Sequence, residues 1–390
     1  MKITLVVGGG GDIYYELGLL SGLIANGVRV DFIGSDSIKD AEVFKDENVS
    51  FYNLRGSQAS NAPMKEKIVR ILRYYLRLIK YSWKTDSKLF HIQWPNKFIH
   101  FDRVFLNFYY KILGKKLIFT AHNVNEGVRD GTDSFINRLS LNFMYKIVDH
   151  IIVHTDKMRR QVIEDFGVSE KKVTVIPFGI NDMVFKSNLT RIEARSKLGL
   201  DSNERIALCF GRITPYKGLE YLLYALANQK KKNNHFRLII AGKVDINCGK
   251  YWQDIQGIIN EHNLREYVIE KTEYIPDRDI EVYFKSSDVL MLPYKFIYQS
   301  GVLFLSYSFG LPVIATDVGS LREEIIEGET GFVCKPEDPE DLSEKIDLYF
   351  KSELFKNLEK HRKIIMEYAN ERYSWDKVGG ITYGVYKTLI

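Results

Sequence analysis

Short apolar runs rich in β-branched residues alternate with helical patterns along this whole chain of 390 residues. Continuous apolar runs fit strands that are covered on both faces, and strand–helix alternation implies parallel βαβ units. The pattern therefore predicts a doubly wound α/β architecture. The strand candidates are residues 3–7, 28–33, 89–94, 116–121, 150–155, 173–179, 206–211, 237–242, 289–294 and 312–319, with a weaker one at 267–275.

The strand–helix pattern runs through twice, so we expect two tandem Rossmann-like domains, residues 1–180 and 181–371. The break falls within residues 178–200, a polar and irregular segment bounded by Pro177 and Gly199. Ligands of open α/β sheets bind beyond the carboxyl ends of the strands. Two such domains facing each other would form one cleft, and the loops after strands are where chemistry is expected.

Composition excludes several classes of protein. An apolar content of 45% and a charged content of 27% fit a soluble globular chain, and no apolar run approaches the ~20 residues of a membrane span. Cys209, Cys248 and Cys334 are widely spaced, which favours buried thiols in a reducing cytoplasm over disulfides or a zinc site. Residues 1–180 carry 26 Lys and Arg against 19 Asp and Glu, so an anionic partner is expected there.

A run of four glycines, Gly8 to Gly11, follows the first strand and opens a helix. Such a turn lets a ligand approach the backbone and favours anions at the helix start. The spacing does not match G-x-G-x-x-G, because the third glycine would fall at Ile13 or Tyr14, so a dinucleotide site is disfavoured. A ligand-facing loop is predicted, with a flexible connection as the alternative.

The histidines divide by position. His122, in “FTAHNVNEG”, lies just past the carboxyl end of a strand, so a role in a site is predicted, with a structural hydrogen bond as the alternative. His91 and His154 lie inside apolar runs and are predicted to be core residues.

The stretch “FGRITPYKG”, residues 210–218, places two cations, Arg212 and Lys217, in a turn before a helix predicted over 218–228. Cations at a helix start oppose the helix dipole unless an anion is present. Arginine offers a planar fork and lysine a point charge for phosphate oxygens. An anion site is predicted, with solvated surface charge as the alternative.

A buried helix is predicted after the strand candidate 289–294. Its start, Ser300, Gly301 and Val302, offers free backbone N–H groups, and Ser300 can cap them or bind a ligand. In “PDRDIE”, the pair Asp277 and Asp279 is better explained by Asp277 capping a helix than by a metal.

The segment 67–84 shows a basic and an apolar helical stripe. A basic amphipathic helix with aromatic residues is typical of proteins that contact anionic membranes. Contact with a membrane or a lipid-linked acceptor is predicted, with a solvated face as the alternative. The apolar residues are Ile68, Leu72, Tyr75, Ile79 and Trp83; the basic ones are Arg70, Arg73, Arg77, Lys80 and Lys84.

Three stretches, “GRITPYKGLEYLLYA” (211–225), “FGLPVIATDVGSLREEIIEGETGFV” (309–333) and “YSWDKVGG” (373–380), resemble the retaining GT-B glycosyltransferases of glycosyltransferase family 4, group 1. The second half carries most of the resemblance. The first half shares only the glycine loop and “TAHN”. The resemblance implies an acceptor-binding first domain, a second domain that binds a nucleotide sugar, and a final segment, 372–390, that crosses back to the first domain.

The resemblance also implies roles for individual residues. Arg212 and Lys217 would hold the donor diphosphate and stabilise the leaving group, and His122 would contact the donor sugar near its reacting carbon. These three form the predicted catalytic set. The predicted donor-binding set is Gly10, Gly11, Gly211, Tyr274, Ile275, Gln299, Ser300, Gly301 and Val302.

One departure stands out. The usual family pair of glutamates, seven residues apart, falls on Ile297 and Leu305 here. The second glutamate normally holds the ribose hydroxyls, so that contact is in doubt, and Gln299 or Ser306 are the candidate substitutes.

The predicted function is metal-independent transfer of a sugar, a hexose, with retained configuration to a glycan or lipid-linked acceptor in polysaccharide or cell-envelope biosynthesis. The expected location is cytoplasmic, peripheral at the inner face of a membrane, with no cofactor and no nucleic-acid partner. Three alternatives stay open: a pseudo-glycosyltransferase subunit, a sugar-nucleotide epimerase and a nicotinamide-dependent oxidoreductase. Donor nucleotide, sugar, acceptor and oligomeric state are not readable from the sequence.

Overall fold

The computed structural model describes residues 1–8, 12–59, 62–129, 131–180, 182, 184–232 and 236–390. Two compact units make up the chain: residues 1–179 with 373–390 form unit 1, and residues 180–372 form unit 2. The predicted donor-binding residues Gly10 and Gly11 lie outside the described residues.

Unit 1 is built on a parallel sheet whose seven strands have the order β3-β2-β1-β4-β5-β6-β7. The strands are β1 Lys2–Val6, β2 Arg29–Gly34, β3 Val49–Asn53, β4 Leu89–Ile92, β5 Lys116–Thr120, β6 His150–Val153 and β7 Val173–Val175. The helices are α1 Ile13–Ala25, α2 Met64–Lys84, α3 Ile99–Phe101, α4 Asn107–Ile112, α5 Glu126–Arg129, α6 Phe135–Ile147, α7 Asp156–Phe166 and, from the C-terminal segment, α17 Trp375–Lys387. A π-helical stretch, Asp102–Leu106, joins α3 to α4.

Unit 2 is built on a parallel sheet of six strands in the order β10-β9-β8-β11-β12-β13. The strands are β8 Ile206–Phe210, β9 Arg237–Ala241, β10 Val268–Lys271, β11 Val289–Leu292, β12 Val313–Thr316 and β13 Gly331–Cys334. The helices are α8 Arg191–Lys197, α9 Leu219–Lys231, α10 Gly249–Glu261, α11 Asp277–Ser286, α12 Gly301–Ser308, α13 Leu321–Glu324, α14 Pro339–Lys351, α15 Glu353–Lys356 and α16 Leu358–Tyr373.

The predicted α/β class with two doubly wound parallel sheets is confirmed. Every strand candidate contains an observed strand, and two strands, β3 and β13, were not predicted. Both lie at the edge of their sheet, where β3 is half exposed and therefore lacks a continuous apolar run. The expected cap at Asp277 is wrong: α11 begins at Asp277 itself, Pro276 precedes it, and no side chain caps the helix.

In each sheet the order in which successive strands are added reverses at one point, between β1 and β4 in unit 1 and between β8 and β11 in unit 2. The loops that follow these strands diverge there, which opens a crevice at the carboxyl edge of the sheet. In unit 2 the crevice therefore lies between the turn after β8 and the segment from Pro293 to Ser300 after β11.

The C-terminal helix α17 packs on α1. A Cβ atom added at Gly18 would lie 2.0 Å from the Trp375 ring, and one at Gly22 would lie 2.0 Å from the Trp375 carbonyl oxygen. Glycines in α1 thus allow the two helices to pack backbone to backbone, which ties the end of the chain to the first βα connection of unit 1.

Candidate functional site

Lys217 is buried in the turn after β8. The chain leaves the strand through Gly211 (φ 99°), makes a short 3₁₀ turn over Pro215–Lys217, and enters α9 through Gly218 (φ 65°). Lys217 is 8% exposed, and its Nζ donates to the carbonyl oxygen of Phe210 at 3.2 Å. A Cβ at Gly211 would lie 2.7 Å from that Nζ, so glycine is needed both for the backbone angle and for the lysine.

The pKa of Lys217 is lowered to about 8, mainly by burial; Cys209 opposes the shift and the nearby Arg212 cation adds to it. Within the described part of the chain, no Asp or Glu forms an ion pair with Lys217, although charged groups in protein interiors are usually paired. The turn therefore holds a buried cation that lacks a counter-ion, and an anion bound here would supply one.

Arg212 does not share this burial. Its side chain is 76% exposed, and Nη1 lies 3.3 Å from Asp245 Oδ2. The structure thus separates the two predicted phosphate ligands: Lys217 lines the crevice side of the turn, and Arg212 extends to solvent beside an acid. An exposed pair of this kind contributes little to stability, so Arg212 can exchange its partner at small energetic cost.

The start of α12 meets the same turn. Val302 Cγ2 lies 3.7 Å from the position that a Gly211 Cβ would take, and the Tyr294 ring centre lies 5.8 Å from Lys217 Nζ. Ser300 is buried and its Oγ lies 3.3 Å from Tyr294 Oη, but it makes no capping bond to α12. The first N–H groups of α12 are thus left without a side-chain cap beside a buried cation.

Gln299 precedes this helix, and both its amide nitrogen and its amide oxygen are buried without a hydrogen-bond partner among the described residues. Ile297 and Leu305, which stand at the family's glutamate positions, are buried apolar residues. Ser306 donates its hydroxyl to the carbonyl oxygen of Leu311 at 2.8 Å. Of the two candidate substitutes, Ser306 has already used its donor, whereas Gln299 has both a free donor and a free acceptor.

Tyr274 and Ile275 follow β10, two strands away from β8 in the sheet. Tyr274 is largely exposed and Ile275 is buried. The structure places both in a loop at the carboxyl edge and gives no contact between them and Lys217.

In unit 1, His122 is buried and lies in an aromatic cage. Its ring stacks on Trp94, with ring centres 3.8 Å apart and planes 2° apart, and Tyr15 meets it edge-on at 4.6 Å. Burial, reinforced by the neighbouring His154 and His91, lowers the pKa of His122 well below its usual value. His122 is therefore a neutral imidazole at neutral pH.

His122 belongs to a chain of hydrogen bonds. His154 Nδ1 lies 3.0 Å from the carbonyl oxygen of Ile176, and His154 Nε2 lies 3.0 Å from His122 Nδ1. Because a carbonyl only accepts, neutral His154 carries its proton on Nδ1 and accepts from His122 Nδ1–H. Nε2 of His122 is then left as an acceptor.

The chain continues from His122 Nε2 to the side-chain amide of Gln93 at 3.2 Å, then to His91 Nε2 at 2.9 Å, with Tyr386 Oη on His91 Nδ1 at 2.5 Å. A neutral chain requires the Gln93 amide NH₂ to face His122, since an amide oxygen facing Nε2 would place two acceptors together. We call this hydrogen-bonded chain, His154–His122–Gln93–His91–Tyr386, the relay. The prediction of His91 as a core residue did not include its place in the relay.

A buried carboxyl and a buried guanidinium, Glu16 of α1 and Arg55 after β3, were not predicted as site residues. Both line one cavity of about 240 Å³ at the carboxyl ends of β1 and β2. Within the described ranges, Glu16 Oε1 has no hydrogen-bond partner. Arg55 follows an edge strand that the sequence pattern did not reveal, whereas Glu16 was detectable as the acid in the helix after the glycine loop.

Helix α2 has three faces rather than the two stripes predicted. Its buried face is formed by Tyr74, Tyr75, Leu78 and Tyr81. At 100° per residue, the predicted basic residues occupy a second third of the circumference. The remaining third is apolar and exposed: Ile68, Leu72, Leu76 (69% exposed) and Trp83 (75%).

The helices beside α2 also expose apolar side chains. Phe98 and Phe101 contact Tyr75 of α2, and Tyr109 donates to the carbonyl oxygen of Ile79, so the α3–α4 segment packs beside α2. Further apolar residues are exposed on α3–α4 and on α6. We call this set the apolar surface of unit 1, and it consists of Ile68, Leu72, Leu76, Trp83, Phe101, Phe105, Phe108, Ile112, Phe135, Ile136 and Leu139.

Across the described ranges, no group of three or more His, Cys, Asp or Glu side chains is arranged to hold a metal ion. None of the described helices has the length and apolar character needed to cross a membrane.

Among curated proteins, an uncharacterized glycosyltransferase of Methanocaldococcus jannaschii is 28% identical over 244 residues, which is 61% of this chain and 59% of that protein. A D-inositol 3-phosphate glycosyltransferase of Acidothermus cellulolyticus is 24% identical over 62% of this chain and 54% of that protein. The aligned part thus spans little more than half the length of these relatives.

Solved structures match the whole chain. Sucrose-phosphate synthase from Thermosynechococcus elongatus has a TM-score of 0.78 at 19% identity and covers 100% of this chain and 99% of its own. HepE of Anabaena in complex with UDP has a TM-score of 0.75 at 16% identity, with 100% of both chains covered. At these identities the likeness establishes the fold.

Two family models complete the comparison. Residues 9–183 match Glycosyltransferase Family 4, and residues 190–372 match Glycosyl transferases group 1, so that together they span nearly the whole chain. The chain belongs to the group 1, family 4 glycosyltransferases of GT-B fold.

Proposed function

We propose that this glycosyltransferase moves a hexose, with retained configuration and without a metal ion, from a nucleotide-diphosphate donor to a glycan or lipid-linked acceptor of polysaccharide or cell-envelope biosynthesis. The observation that carries the proposal is Lys217, a buried cation with no carboxylate partner in the part of the chain that the structure describes, beside the uncapped start of α12. A diphosphate would neutralise the lysine and accept from the free N–H groups.

In this mechanism the residues of unit 2 stabilise the leaving group. Negative charge grows on the diphosphate as the glycosidic bond breaks, and Lys217 together with the α12 N–H groups would lower the energy of that charge. Arg212 would leave Asp245 and bind an outer phosphate oxygen. The buried amide of Gln299 would take over the ribose contact that Ile297 and Leu305 cannot make.

In unit 1, His122 would position the donor sugar. The relay fixes Nε2 of His122 as an acceptor, so a sugar hydroxyl that displaces Gln93 would donate to it. The acceptor hydroxyl would attack the face that the diphosphate leaves and give its proton to a donor phosphate oxygen. No side-chain nucleophile is required.

A thermal-shift panel of nucleoside diphosphates and nucleotide sugars tests the donor site. UDP and UDP-glucose come first because HepE, a structural neighbour, was solved with both. Ligand at one hundred times Kd stabilises the fold by about 2.7 kcal/mol. Lys217→Ala should lose most of this shift, whereas Lys232→Ala, which removes an exposed lysine paired with Asp347, should keep it. An undiminished shift in Lys217→Ala would contradict the site.

The product tests the reaction. The anomeric configuration of the transferred sugar, read by NMR, should equal that of the donor, and a chelator should leave the rate unchanged. An inverted product or loss of activity with the chelator contradicts the corresponding part of the proposal.

The buried apolar residues Ile297 and Leu305 favour one second candidate, a pseudo-glycosyltransferase that binds donor for a catalytic partner. Such a protein would show the Lys217-dependent thermal shift and neither transfer nor slow donor hydrolysis. Donor hydrolysis by the wild type that Lys217→Ala abolishes would exclude it.

We also propose that the chain works at an anionic membrane, through the apolar surface of unit 1 and the basic face of α2. Exposed aromatic and aliphatic side chains insert between lipid headgroups, while each nearby Lys or Arg adds about 1 kcal/mol of attraction to anionic lipid. A second copy of the chain suits this surface poorly, because two-fold pairing would bring the basic faces toward each other.

Co-sedimentation with vesicles tests this location. Binding should require anionic phosphatidylglycerol, weaken with salt, and fall in Leu76→Ser and Trp83→Ser. Leu348→Ser, which changes an exposed leucine of α14 in unit 2, is the matched control and should bind vesicles as the wild type does. Equal binding to neutral vesicles, or none, contradicts the location, and a concentration-dependent dimer lost in Leu76→Ser assigns the surface to a second copy.

A further inference from the structure

Glu16 and Arg55 line the same cavity without forming an ion pair. Arg55 Nη2 donates instead to the carbonyl oxygen of Val7 at 2.5 Å and to Asn96 Oδ1, and Arg55 Nε finds no partner in the described part of the chain. Glu16 Oε1 also has no hydrogen-bond partner among the residues that the structure describes, and Glu16 is 95% buried. Buried polar groups are normally satisfied, so a carboxyl and a guanidinium left apart across a cavity indicate a missing ligand.

The other polar groups of the cavity suit hydroxyl groups. Ser35, Ser37 and Gln58 line it together with Glu16 and Arg55. Burial raises the pKa of Glu16 to about 8, so this carboxyl is protonated at neutral pH and both donates and accepts. The volume of about 240 Å³ equals roughly eight molecules of liquid water, enough for one pyranose ring.

A second groove, of about 380 Å³, shares Arg55 with the cavity. Its other charged residues are Lys65, Glu66, Arg70, Arg73 and Arg77, the first residues of the α2 basic face among them. Four cations besides Arg55 against one acid make this groove a site for anions. A ligand that passes from one space to the other would place a neutral sugar ring beside Glu16 and a negative group beside the arginines of α2.

We propose that the cavity and the groove form an acceptor subsite for a saccharide that carries a phosphate or carboxylate next to its terminal sugar ring. The inference deepens the proposed function and rests on it for the word acceptor. Glu16, Ser35 and Ser37 hold the ring hydroxyls, Arg55 stands at the junction, and Arg70, Arg73 and Arg77 hold the anionic group.

Saturation-transfer NMR tests the subsite with small probes: glucose, mannose and galactose, their 6-phosphates, and glucuronic acid. All measurements use the full chain in a Lys217→Met background, so that phosphate binding at the donor site does not contribute. We expect at least one sugar 6-phosphate or glucuronic acid to bind tenfold more tightly than the neutral sugar. Preference for the phosphates would indicate a phosphate linker, and preference for glucuronic acid an anionic glycan.

Variants separate the two halves of the subsite. Glu16→Ala should weaken every probe at least tenfold, and Glu16→Gln, which keeps the shape and hydrogen bonds, should bind within threefold of its parent. Arg73→Ala should remove the preference for charged probes and leave neutral sugars unchanged. Arg265→Ala, an exposed arginine of unit 2, should change nothing.

Two results would overturn the subsite: no saturable binding of any probe, or binding that Glu16→Ala leaves intact. Either result, with the Lys217-dependent nucleotide shift present in the otherwise wild-type chain, removes the acceptor subsite alone. Loss of the nucleotide shift as well would remove the proposed function.

Discussion

The two units share a sheet design and differ in the titratable groups that they bury. Among the described residues of unit 2, the buried Arg195 is paired with Asp288 at the amino ends of β8 and β11, whereas the buried Lys217, in the turn after β8, has no acid partner. Unit 1 buries a relay of imidazoles, whose pKa values burial lowers, and a carboxyl, Glu16, whose pKa burial raises. Neutral groups suit hydroxyls, and an unpaired cation suits a phosphate. The proposed function uses this difference, with the sugar held in unit 1 and the diphosphate in unit 2.

The comparison also separates structural charge from functional charge inside unit 2. Arg195 Nη2 lies 3.0 Å from both carboxylate oxygens of Asp288, and the N–H of Ile206 donates to the same carboxylate at 2.8 Å. Every charge there has a partner, so the group holds α8 and β8 in place. Lys217 has the opposite arrangement, and its charge lowers stability unless ligand is bound.

The largest expected effect tests that separation. Asp288→Asn leaves Arg195 buried without a counter-ion, so the free energy of unfolding should fall by about 4 kcal/mol. Arg265→Gln, which breaks the exposed pair with Glu270, should cost under about 1 kcal/mol. Urea denaturation measures both, and a loss under about 1 kcal/mol in Asp288→Asn would break the comparison.

Replacing one helix glycine in each unit by alanine compares how tightly the two helices are packed. Gly18→Ala places a methyl group 2.0 Å from the Trp375 ring, so α1 and α17 must separate, at a cost of about 3 kcal/mol. Gly257 lies in α10 of unit 2 with open space around its Cβ position. Gly257→Ala should instead stabilise by about 0.5–1 kcal/mol, since alanine favours a helix. Equal melting temperatures for the two variants would show that the α1–α17 contact is not tight.

Acid should act on unit 1 through its imidazoles. Burial lowers the pKa of His154 to about 4, so the unfolded chain binds a proton between about pH 6.5 and 4 that the folded chain refuses. Stability from this residue is present above pH 6.5 and is lost as pH falls. Between pH 7 and pH 5 the wild type should lose about 2 kcal/mol more than His154→Asn.

Glu16 and His154 change the stability with pH in opposite directions. The quantity to compare is therefore the difference in the free energy of unfolding between the wild type and each variant. Glu16, also in unit 1, has a raised pKa and gains stability over the same pH interval, so the wild type alone can look almost independent of pH. His100→Asn, at an exposed histidine of unit 1, should follow the wild type. Identical pH slopes for His154→Asn and the wild type would contradict the neutral relay.

Sequence reasoning succeeded where one short stretch carried both structure and chemistry. The strand, the two glycines, the proline and Lys217 lie within residues 206–218, so the turn was predictable from local pattern. The burial difference between Lys217 and Arg212 was not, because it depends on Asp245 and on α12, both far away in sequence. The relay and the Glu16–Arg55 cavity were also missed, since they join residues from separate strands and the unpredicted edge strand β3.

The third face of α2 was missed for a different reason. Hydrophobic periodicity shows which residues share a side of a helix and does not show which side meets the core. Ile68, Leu72 and Trp83 follow helical spacing as a core face would, yet Tyr74, Leu78 and Tyr81 are the residues that pack. Only packing against the sheet distinguishes the two.

The smallest expected effect, the change in stability on replacing Lys217, is the sharpest test of the contrast between Lys217 and Arg195. Removing a buried residue usually lowers stability, whereas here we expect a gain. Lys217→Met should raise the free energy of unfolding at pH 7 by about 1–2 kcal/mol while it removes nucleotide binding, as expected where a buried charge serves function at the expense of stability. The pKa of Lys217 is lowered to about 8, so above that pH the folded wild type releases a proton that the unfolded chain keeps. The wild type therefore gains stability as pH rises from 8 to 10, and its difference from Lys217→Met should shrink.

Lys295→Met, which removes a paired lysine, should show neither the gain nor the narrowing. A destabilised Lys217→Met whose deficit is constant with pH would mean that the lysine is a structural residue like Arg195, and the contrast between the two cations of unit 2 would disappear.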